Sequence, residues 1–442
     1  MLHARGKKEL SMADTLPPDK DRSAGKKRSG KSGKKVADFR YKRSSQPGKT
    51  PRTRKDRERH NGSGRGRGAS SGKHRENSRP NGAAKNNAQM PQRGRARFAR
   101  PNEAYAALDL GTNNCRLLIA RPSGKDFTVI DAFSRVVKLG EDLATTGRLS
   151  DEAMDRALGA LSVCADKLRR RNVRLARSVA TEACRRAANG PAFIERVQRE
   201  TGIVLDIISA EEEARLAVLG CHILLEQGEG PAVIFDIGGG STELVLLEPG
   251  GPESRRVPRI LDWQSVPWGV VSLTDTVERG ESGEDARLAR YREMRRVVSD
   301  SFAPFAERIA EAAEHEDIRL LGTSGTVTTL ASLHLELPHY DRKAVDGLIV
   351  PSQSMRDIST RLSGMSPAQR SELPCIGQDR ADLVVAGCAI LESILDLWPA
   401  ERLGVADRGI REGILRSLMA AERQSERALR ALQEGRTGSP TS

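Results

Sequence analysis

The sequence predicts an α/β protein of two similar halves that flank a central cleft, preceded by a disordered basic tail. Three observations carry that reading. First, Val233-Ile-Phe-Asp-Ile-Gly-Gly-Gly-Ser-Thr-Glu-Leu-Val-Leu-Leu247 is an apolar strand that runs into three glycines and leaves as a second apolar strand. Tyr105-Ala-Ala-Leu-Asp-Leu-Gly-Thr-Asn-Asn-Cys-Arg-Leu-Leu-Ile119 repeats the layout: setting Asp109 against Asp236 puts Gly111 on Gly238 and Arg116 on Glu243. Second, strand patterns alternate with helix patterns after each hairpin, as a mixed sheet with helices on its faces requires. Third, the net charge of +14 on the 442-residue chain is unevenly divided. Residues 1–100 hold 30 Lys and Arg against 8 Asp and Glu, a net +22, which leaves −8 for the rest.

Residues 1 to about 100 are nearly free of aliphatic side chains, so they cannot bury enough apolar area to offset the entropy of ordering. Runs such as Arg52-Thr-Arg-Lys-Asp-Arg-Glu-Arg59 and Gly64-Arg-Gly-Arg-Gly68 suit RNA or another dense polyanion such as polyphosphate. A solvated arm with no dedicated partner is the plain alternative. The mildly acidic remainder is not itself a nucleic-acid surface. The cysteines at 115, 164, 184, 221, 375 and 388 show no CxxC and read as reduced thiols. No stretch reaches the roughly 18 apolar residues of a membrane span, and the opening Met-Leu-His-Ala-Arg lacks a signal-peptide apolar region. A cytoplasmic protein without membrane contact is expected, as a homodimer.

The fold is expected to begin at Ala104 with the first hairpin, and 127–139 adds a third strand. Ser150 caps a helix to about 171 whose first turn is acidic and last turn basic, the order the helix dipole favours. A buried strand at 175–181, a helix at 191–200 closed by Gly202, a strand at 203–208 and a helix at 210–225 follow. After a turn-rich linker at 228–231, the second hairpin opens the second half. Next come a strand at 255–260, a long helix at 283–315 with a potential break at Pro304, and a strand, small-residue turn and helix from 319. Loop and helix fill 340–380, where Arg342, Lys343, Arg370 and Arg380 are candidate phosphate-chain contacts or plain surface. An apolar helix at 383–397 and a closing strand and helix start at 403–415 complete the fold, and 421–442 is expected to be frayed.

The chemistry concentrates at the two bends. Glycines at 238 to 240 can take backbone angles a side chain forbids, so consecutive N–H groups can converge on an anion. An ordinary tight hairpin would also use such glycines; the second copy favours the phosphate cradle. Asp236 enters the turn and Glu243 leaves it, and two carboxylates beside a phosphate repel it unless a divalent cation intervenes, which implies Mg²⁺. No Gly-Lys-Ser/Thr follows either bend, so neither is a Walker loop. Ser209 with Glu212 fits a capping box, while helical periodicity does not choose between Glu212 and Glu213 as the acid facing the cleft. Arg185 and Arg186 both lie just beyond a strand's carboxyl end, where ligands gather in α/β sheets.

The pair Leu108-Asp-Leu-Gly-Thr-Asn113 and Phe235-Asp-Ile-Gly-Gly-Gly-Ser-Thr-Glu243 resembles the phosphate motifs of the actin, sugar-kinase and chaperone-ATPase superfamily. With Ala180-Thr-Glu-Ala-Cys-Arg185, Ile208-Ser-Ala-Glu-Glu-Glu-Ala-Arg215 and Gly322-Thr-Ser-Gly-Thr326 it resembles more narrowly the exopolyphosphatase and guanosine pentaphosphate phosphohydrolase (Ppx/GppA) family, over roughly residues 104 to 420. The resemblance implies two ribonuclease-H-like domains, at 104–228 and 229–420, behind a tail at 1–103. It implies phosphate contacts at Gly111, Thr112, Asn113, Arg185, Gly238, Gly239, Gly240, Ser241 and Thr242. It implies Mg²⁺ on Asp109 and Asp236, Glu213 as the catalytic carboxylate, and Glu243 as second acid or metal partner. The family acts on polyphosphate or guanosine pentaphosphate, and polyphosphate is favoured here because no base-recognition pocket is legible and the tail suits a polymeric anion. The family's longer members add a His-Asp domain; no His-Asp dipeptide occurs here. A sugar kinase or actin-like ATPase, or a binding module for RNA or alarmone, are the alternatives from other classes.

Overall fold

The computed structural model describes residues 103–124, 126–249, 257–278 and 283–437. All of the predicted tail but Glu103 lies outside them. The described chain forms two mixed sheets, as the alternating pattern predicts.

The first sheet has strand order β3-β2-β1-β4-β5, built from β1 (Ala104–Leu110), β2 (Asn114–Ser123), β3 (Asp126–Val136), β4 (Val173–Ala180) and β5 (Asp206–Ile207). The short helix α1 (Leu143–Thr146) and the long α2 (Asp151–Arg170) connect β3 to β4, and α3 (Glu182–Arg186) and α4 (Gly190–Thr201) connect β4 to β5. Ser150 caps α2 as predicted, its Oγ accepting from the Ala153 amide at 3.2 Å. Strand β5 keeps only two of the six residues expected.

Helix α5 (Ala210–Cys221) crosses to the second sheet, whose order is β10-β11-β9-β6-β7-β8. Its strands are β6 (Ala232–Ile237), β7 (Thr242–Leu247), β8 (Ile260–Val266), β9 (Arg319–Thr323), β10 (Ile349–Pro351) and β11 (Arg402–Ala406). Its helices are α6 (Val270–Thr276), α7 (Glu284–Ala313), α8 (Gly325–His334), α9 (Arg342–Val345), α10 (Ser352–Gly364), α11 (Pro367–Ser371) and α12 (Leu383–Leu397). The two sheets repeat one plan. A first strand pairs antiparallel with the second and parallel with the fourth, and β6, β7, β8, β9 and β11 answer to β1, β2, β3, β4 and β5. The equivalence of Arg116 and Glu243 is real in the register: Asp109 pairs with Arg116 across β1–β2, and Asp236 with Glu243 across β6–β7.

Three expectations need correction. The strand placed at 255–260 is β8, later in the chain, because its register is fixed by β7, with Thr242 opposite Val266. Helix α7 runs through Pro304 without a break, carried by the buried face of Met294, Val298, Phe302, Phe305 and Ile309. Of the segment 421–442 expected to be frayed, 421–437 instead continue α13 (Ile410–Thr437), held where Glu422 accepts a hydrogen bond from the Tyr105 hydroxyl and pairs with Arg174, and 438–442 lie outside the described residues.

Helix α13 leaves the second sheet and returns to the first, and it packs against α5 there. Leu216 of α5 joins Tyr105, Ala107, Ile414 and Leu415 on the first sheet, while Ala214, Val218 and Cys221 pack on Ile234, Val245 and Leu321 of the second. The α5–α13 crossing is so close that a Cβ on Gly413 would lie 2.0 Å from the Leu216 carbonyl oxygen, and one on Gly220 would lie 2.0 Å from that of Gly409. Backbone cannot yield as a flexible side chain can. Gly413→Ala should therefore lower stability by about 1–3 kcal/mol or more, as overpacking does, read as a lower urea midpoint; an unchanged midpoint would show that the helices separate freely.

Candidate active site

The two bends meet in one cavity, open to solvent, lined by Asp109, Gly111, Thr112 and Asn113 from the first and by Asp236, Gly238, Gly239, Gly240, Ser241 and Glu243 from the second. Their shapes match: Gly111 N–H donates to Asn114 O and Gly238 N–H to Ser241 O, each at 2.9 Å. Their carbonyls are turned away from the cavity by the segment following the third strand of each sheet. Thr112 O accepts from Gly140 N, and Asn113 O accepts from Val137 N and Lys138 N. Gly238 O accepts from Val270 N at 3.0 Å, Gly239 O from Val271 N at 2.8 Å, and Gly240 O from Ser272 Oγ at 3.0 Å. The N–H groups of Thr112, Asn113, Gly239, Gly240 and Ser241 donate to no acceptor among the described residues. A bend with its oxygens tied behind it presents amides in front, the arrangement that takes an anion.

The glycines at 238 to 240 serve a different purpose from the one expected. None has a left-handed φ; what they supply is room. A Cβ on Gly240 would lie 2.6 Å from Thr112 Oγ1 and one on Gly239 3.0 Å from Thr112 Cβ, so the second bend needs bare backbone to come against the first.

Glu213, not Glu212, reaches the cavity, 7% exposed in the first turn of α5. Ser209 caps that helix, accepting from Glu212 N at 3.1 Å. The other half of the expected capping box is absent, since the Glu212 carboxylate pairs with Arg177 at 2.8 Å and Arg215 at 2.7 Å. Glu182, which sequence reasoning did not single out as a site residue, also lines the cavity. Five carboxylates thus share one space. Burial pushes Asp109 up against the pull of Arg116, and burial with the charge of Glu213 pushes Asp236 up to about 7. Burial and Asp236 raise Glu243 to about 7, although its Oε1 accepts from Ser241 Oγ at 2.7 Å and Ser265 Oγ at 2.9 Å. Burial and Glu243 hold Glu213 well above the ordinary carboxylate range despite Arg185.

The expected phosphate contacts do not all gather. Thr242 is fully buried outside the cavity lining, its hydroxyl donating to Trp268 O at 2.6 Å. The hydroxyl of Ser241 is spent on Glu243, leaving its amide for the cavity. Arg185 does not line the cavity; it sits behind the wall and holds Glu213, Glu182 and the Ile208 carbonyl. Arg370 is buried on the carbonyls of Leu362, Met365 and Ala381, and Arg342 is paired with Asp407 and Glu412. Arg380 does line the cavity, and so does Arg116. Arg116 has no hydrogen bond or ion pair among the described residues, and Arg380 only a 3.4 Å contact with Thr329 Oγ1. Burial and the neighbouring Arg116 hold the Arg380 guanidinium below its usual pKa, so each arginine lacks an anion that the cavity could receive. Arg116 was readable as the residue opposite Asp109 in the hairpin.

The carboxylates of Asp109 and Asp236 have no hydrogen bond or ion pair among the described residues. No group of three His, Cys, Asp or Glu side chains there is arranged to chelate a metal. That donor set fits a hard divalent cation held by one or two carboxylates and completed by phosphate oxygens and water, the usual manner of Mg²⁺.

Two sheets of one plan, with paired amide bends and an acid cluster at their junction, define an enzyme of the actin-like fold acting on a phosphorylated substrate. The profile of the Ppx/GppA phosphatase family matches residues 118–422. Exopolyphosphatase 2 of Mycobacterium tuberculosis is 30% identical over 327 residues, 71% of this chain and 98% of that protein. The crystal structure of the Aquifex aeolicus Ppx/GppA family member superposes with a TM-score of 0.58 at 28% identity, covering 72% of this chain and 98% of that one. An exopolyphosphatase from Cytophaga hutchinsonii, 24% identical, shares the fold with a TM-score of 0.62, over 72% of this chain and 98% of its own. The chain belongs to the Ppx/GppA phosphatase family and is a phosphoanhydride hydrolase.

The raised carboxylates fix a pH response. A folded state that keeps a proton on Asp236 up to about pH 7 binds more protons than the unfolded chain between about pH 4 and 7, so stability falls as pH rises through that window. In cation-free buffer at pH 8, Asp236→Asn should stabilise the protein by about 2 kcal/mol and flatten the acid-side slope. Parallel pH–stability curves for the two proteins would contradict the charge crowding.

Proposed function

We propose that this enzyme is an exopolyphosphatase, removing the terminal phosphoryl group of inorganic polyphosphate by transfer to water. One observation carries the reading: two amide-lined bends, two unpaired guanidinia and an acid cluster face a single cavity. Phosphoryl transfer depends on positioning and charge neutralisation, and these groups supply both. The amides of Thr112, Asn113, Gly239, Gly240 and Ser241 hold phosphate oxygens, with Gly111 and Gly238 shaping the turns. Arg116 and Arg380 take the next phosphates of the chain.

Asp109 and Asp236 would hold Mg²⁺, which when bound offsets phosphate charge and favours ionised carboxylates. Glu213 takes a proton from the attacking water as its oxygen bonds to the terminal phosphorus. The bridging P–O bond breaks, and the shortened chain leaves with the electron pair. General-base help of this kind is worth about 10²–10⁴ in rate. Glu243, steadied by Ser241 and Ser265, is the second acid. Burial and the neighbouring Glu243 make Glu213 a stronger base, which suits it to taking a proton from water.

A second reading has its own support. Val270, Leu383, Val384 and Ile410 form an apolar flank of the cavity that a bare phosphate chain does not need. A guanosine pentaphosphate would set its nucleoside there.

Orthophosphate release from long polyphosphate, guanosine pentaphosphate and ATP, measured side by side, decides between the readings. Polyphosphate should be the fastest; ATP fastest would point to an ATPase, and no release from any would leave a binding module. Glu213→Gln should lower kcat by about 10² or more while polyphosphate binding persists; near-normal turnover would remove Glu213 from the chemistry.

The basic residues 1–100 are proposed to tether polyanions. Deleting them should weaken binding of long polyphosphate and reduce the salt slope of its affinity. A slope unchanged by the deletion would leave the segment without this role.

A further inference from the structure

Behind the cavity wall sits an arginine turned from the phosphate side, held by a glutamate that does line the cavity. Helix α3 follows β4 directly, and its Glu182 and Arg185 lie one turn apart. Arg185 Nη2 donates to Glu182 Oε2 at 2.5 Å, while Nη1 donates to Glu213 Oε2 at 3.0 Å and to the Ile208 carbonyl at 2.8 Å. Both carboxylates line the cavity and the guanidinium does not. Glu182 is 8% exposed, and its stem is wedged beneath the second bend: a Cβ on Gly240 would lie 2.9 Å from Glu182 Cγ. Its other oxygen stands 3.7 Å from Arg186 Nε.

A negative side chain beside an anion cradle works against binding unless it does something else there. An arginine paired with two carboxylates of the cavity lining would by its own charge be drawn toward a phosphate bound there, where a planar fork binds two oxygens. Arg185 is kept from doing so by having both edges of its fork occupied. We propose that Glu182 is a positioning residue, holding Arg185 on the water-activating Glu213 and off the phosphate. It acts on catalysis through Arg185, and its cost is a weaker grip on substrate and product. The division of labour is then complete: Arg116 and Arg380 bind the chain, and Arg185 serves the base.

This rests on the hydrolytic role given to Glu213 above. The test compares the full-length wild-type protein with Glu182→Ala, Glu182→Gln and the double variant Glu182→Ala/Arg185→Ala. It measures kcat and KM on polyphosphate with Mg²⁺, and orthophosphate affinity by calorimetry. In Glu182→Ala, kcat should fall about tenfold or more while KM and the orthophosphate dissociation constant fall severalfold, the pattern of a group whose loss strengthens ground-state binding. Glu182→Gln, which keeps the stem and an acceptor for Nη2, should recover most of kcat. The double variant should lose the added orthophosphate affinity. Glu182→Ala with unchanged or weaker orthophosphate binding would overturn the proposal, as would tighter binding that persists without Arg185. A wild-type protein that fails to hydrolyse polyphosphate would instead defeat the functional reading, a result separate from either.

Discussion

The backward hydrogen bonds of the two bends set up everything else at the site. A peptide group has one oxygen and one N–H on opposite edges, so fixing the oxygen fixes where the hydrogen points. In both halves the segment after the third strand supplies the donors that pin the carbonyls of Thr112, Asn113, Gly238, Gly239 and Gly240. The glycines then answer a spatial demand, since Gly239 and Gly240 lie against Thr112 of the opposite bend. Pinned oxygens and bare backbone together yield a row of amides from two sheets aimed at one space. Neither bend has this property alone.

Amide dipoles are not enough, because the same space holds Asp109, Glu182, Glu213, Asp236 and Glu243. Charges of one sign in a buried volume raise one another's pKa values, and burial adds to the effect. Opposing them are Arg116 and Arg380 in the cavity and Arg185 behind its wall. The two cavity arginines are short of an anion and the two aspartates are short of a cation. A phosphate chain carrying a divalent cation satisfies both at once, which neither a neutral sugar nor a bare anion would do.

Much of this was legible in the sequence. The strand-glycine-strand pattern and its repeat located both bends, the alternation of elements located both sheets, and the Asp109 to Asp236 alignment anticipated cross-strand pairs the structure contains. What escaped had nonlocal causes. Strand β8 takes its register from β7, and α13 is extended by contacts of Glu422 with residues more than two hundred positions away. Arg185 was assigned to phosphate through the family resemblance, since sequence leaves Arg185 and Arg186 equal at the strand end and does not show that Glu182 and Glu213 claim the fork of Arg185. Arg116 was readable opposite Asp109 in the hairpin, but not the fact that gives it importance, that no carboxylate among the described residues claims it.

The placement of Glu213 depends on both sheets. Helix α5 is buried on one side by the first sheet and on the other by the second, with α13 crossing it at backbone contact. Its first turn therefore cannot shift without moving one of the two bends. A carboxylate on a surface loop would sample many positions relative to a phosphate held between two sheets. On a helix wedged at their junction it keeps one. The chain thus makes the acid's position a consequence of the same packing that brings the amides together.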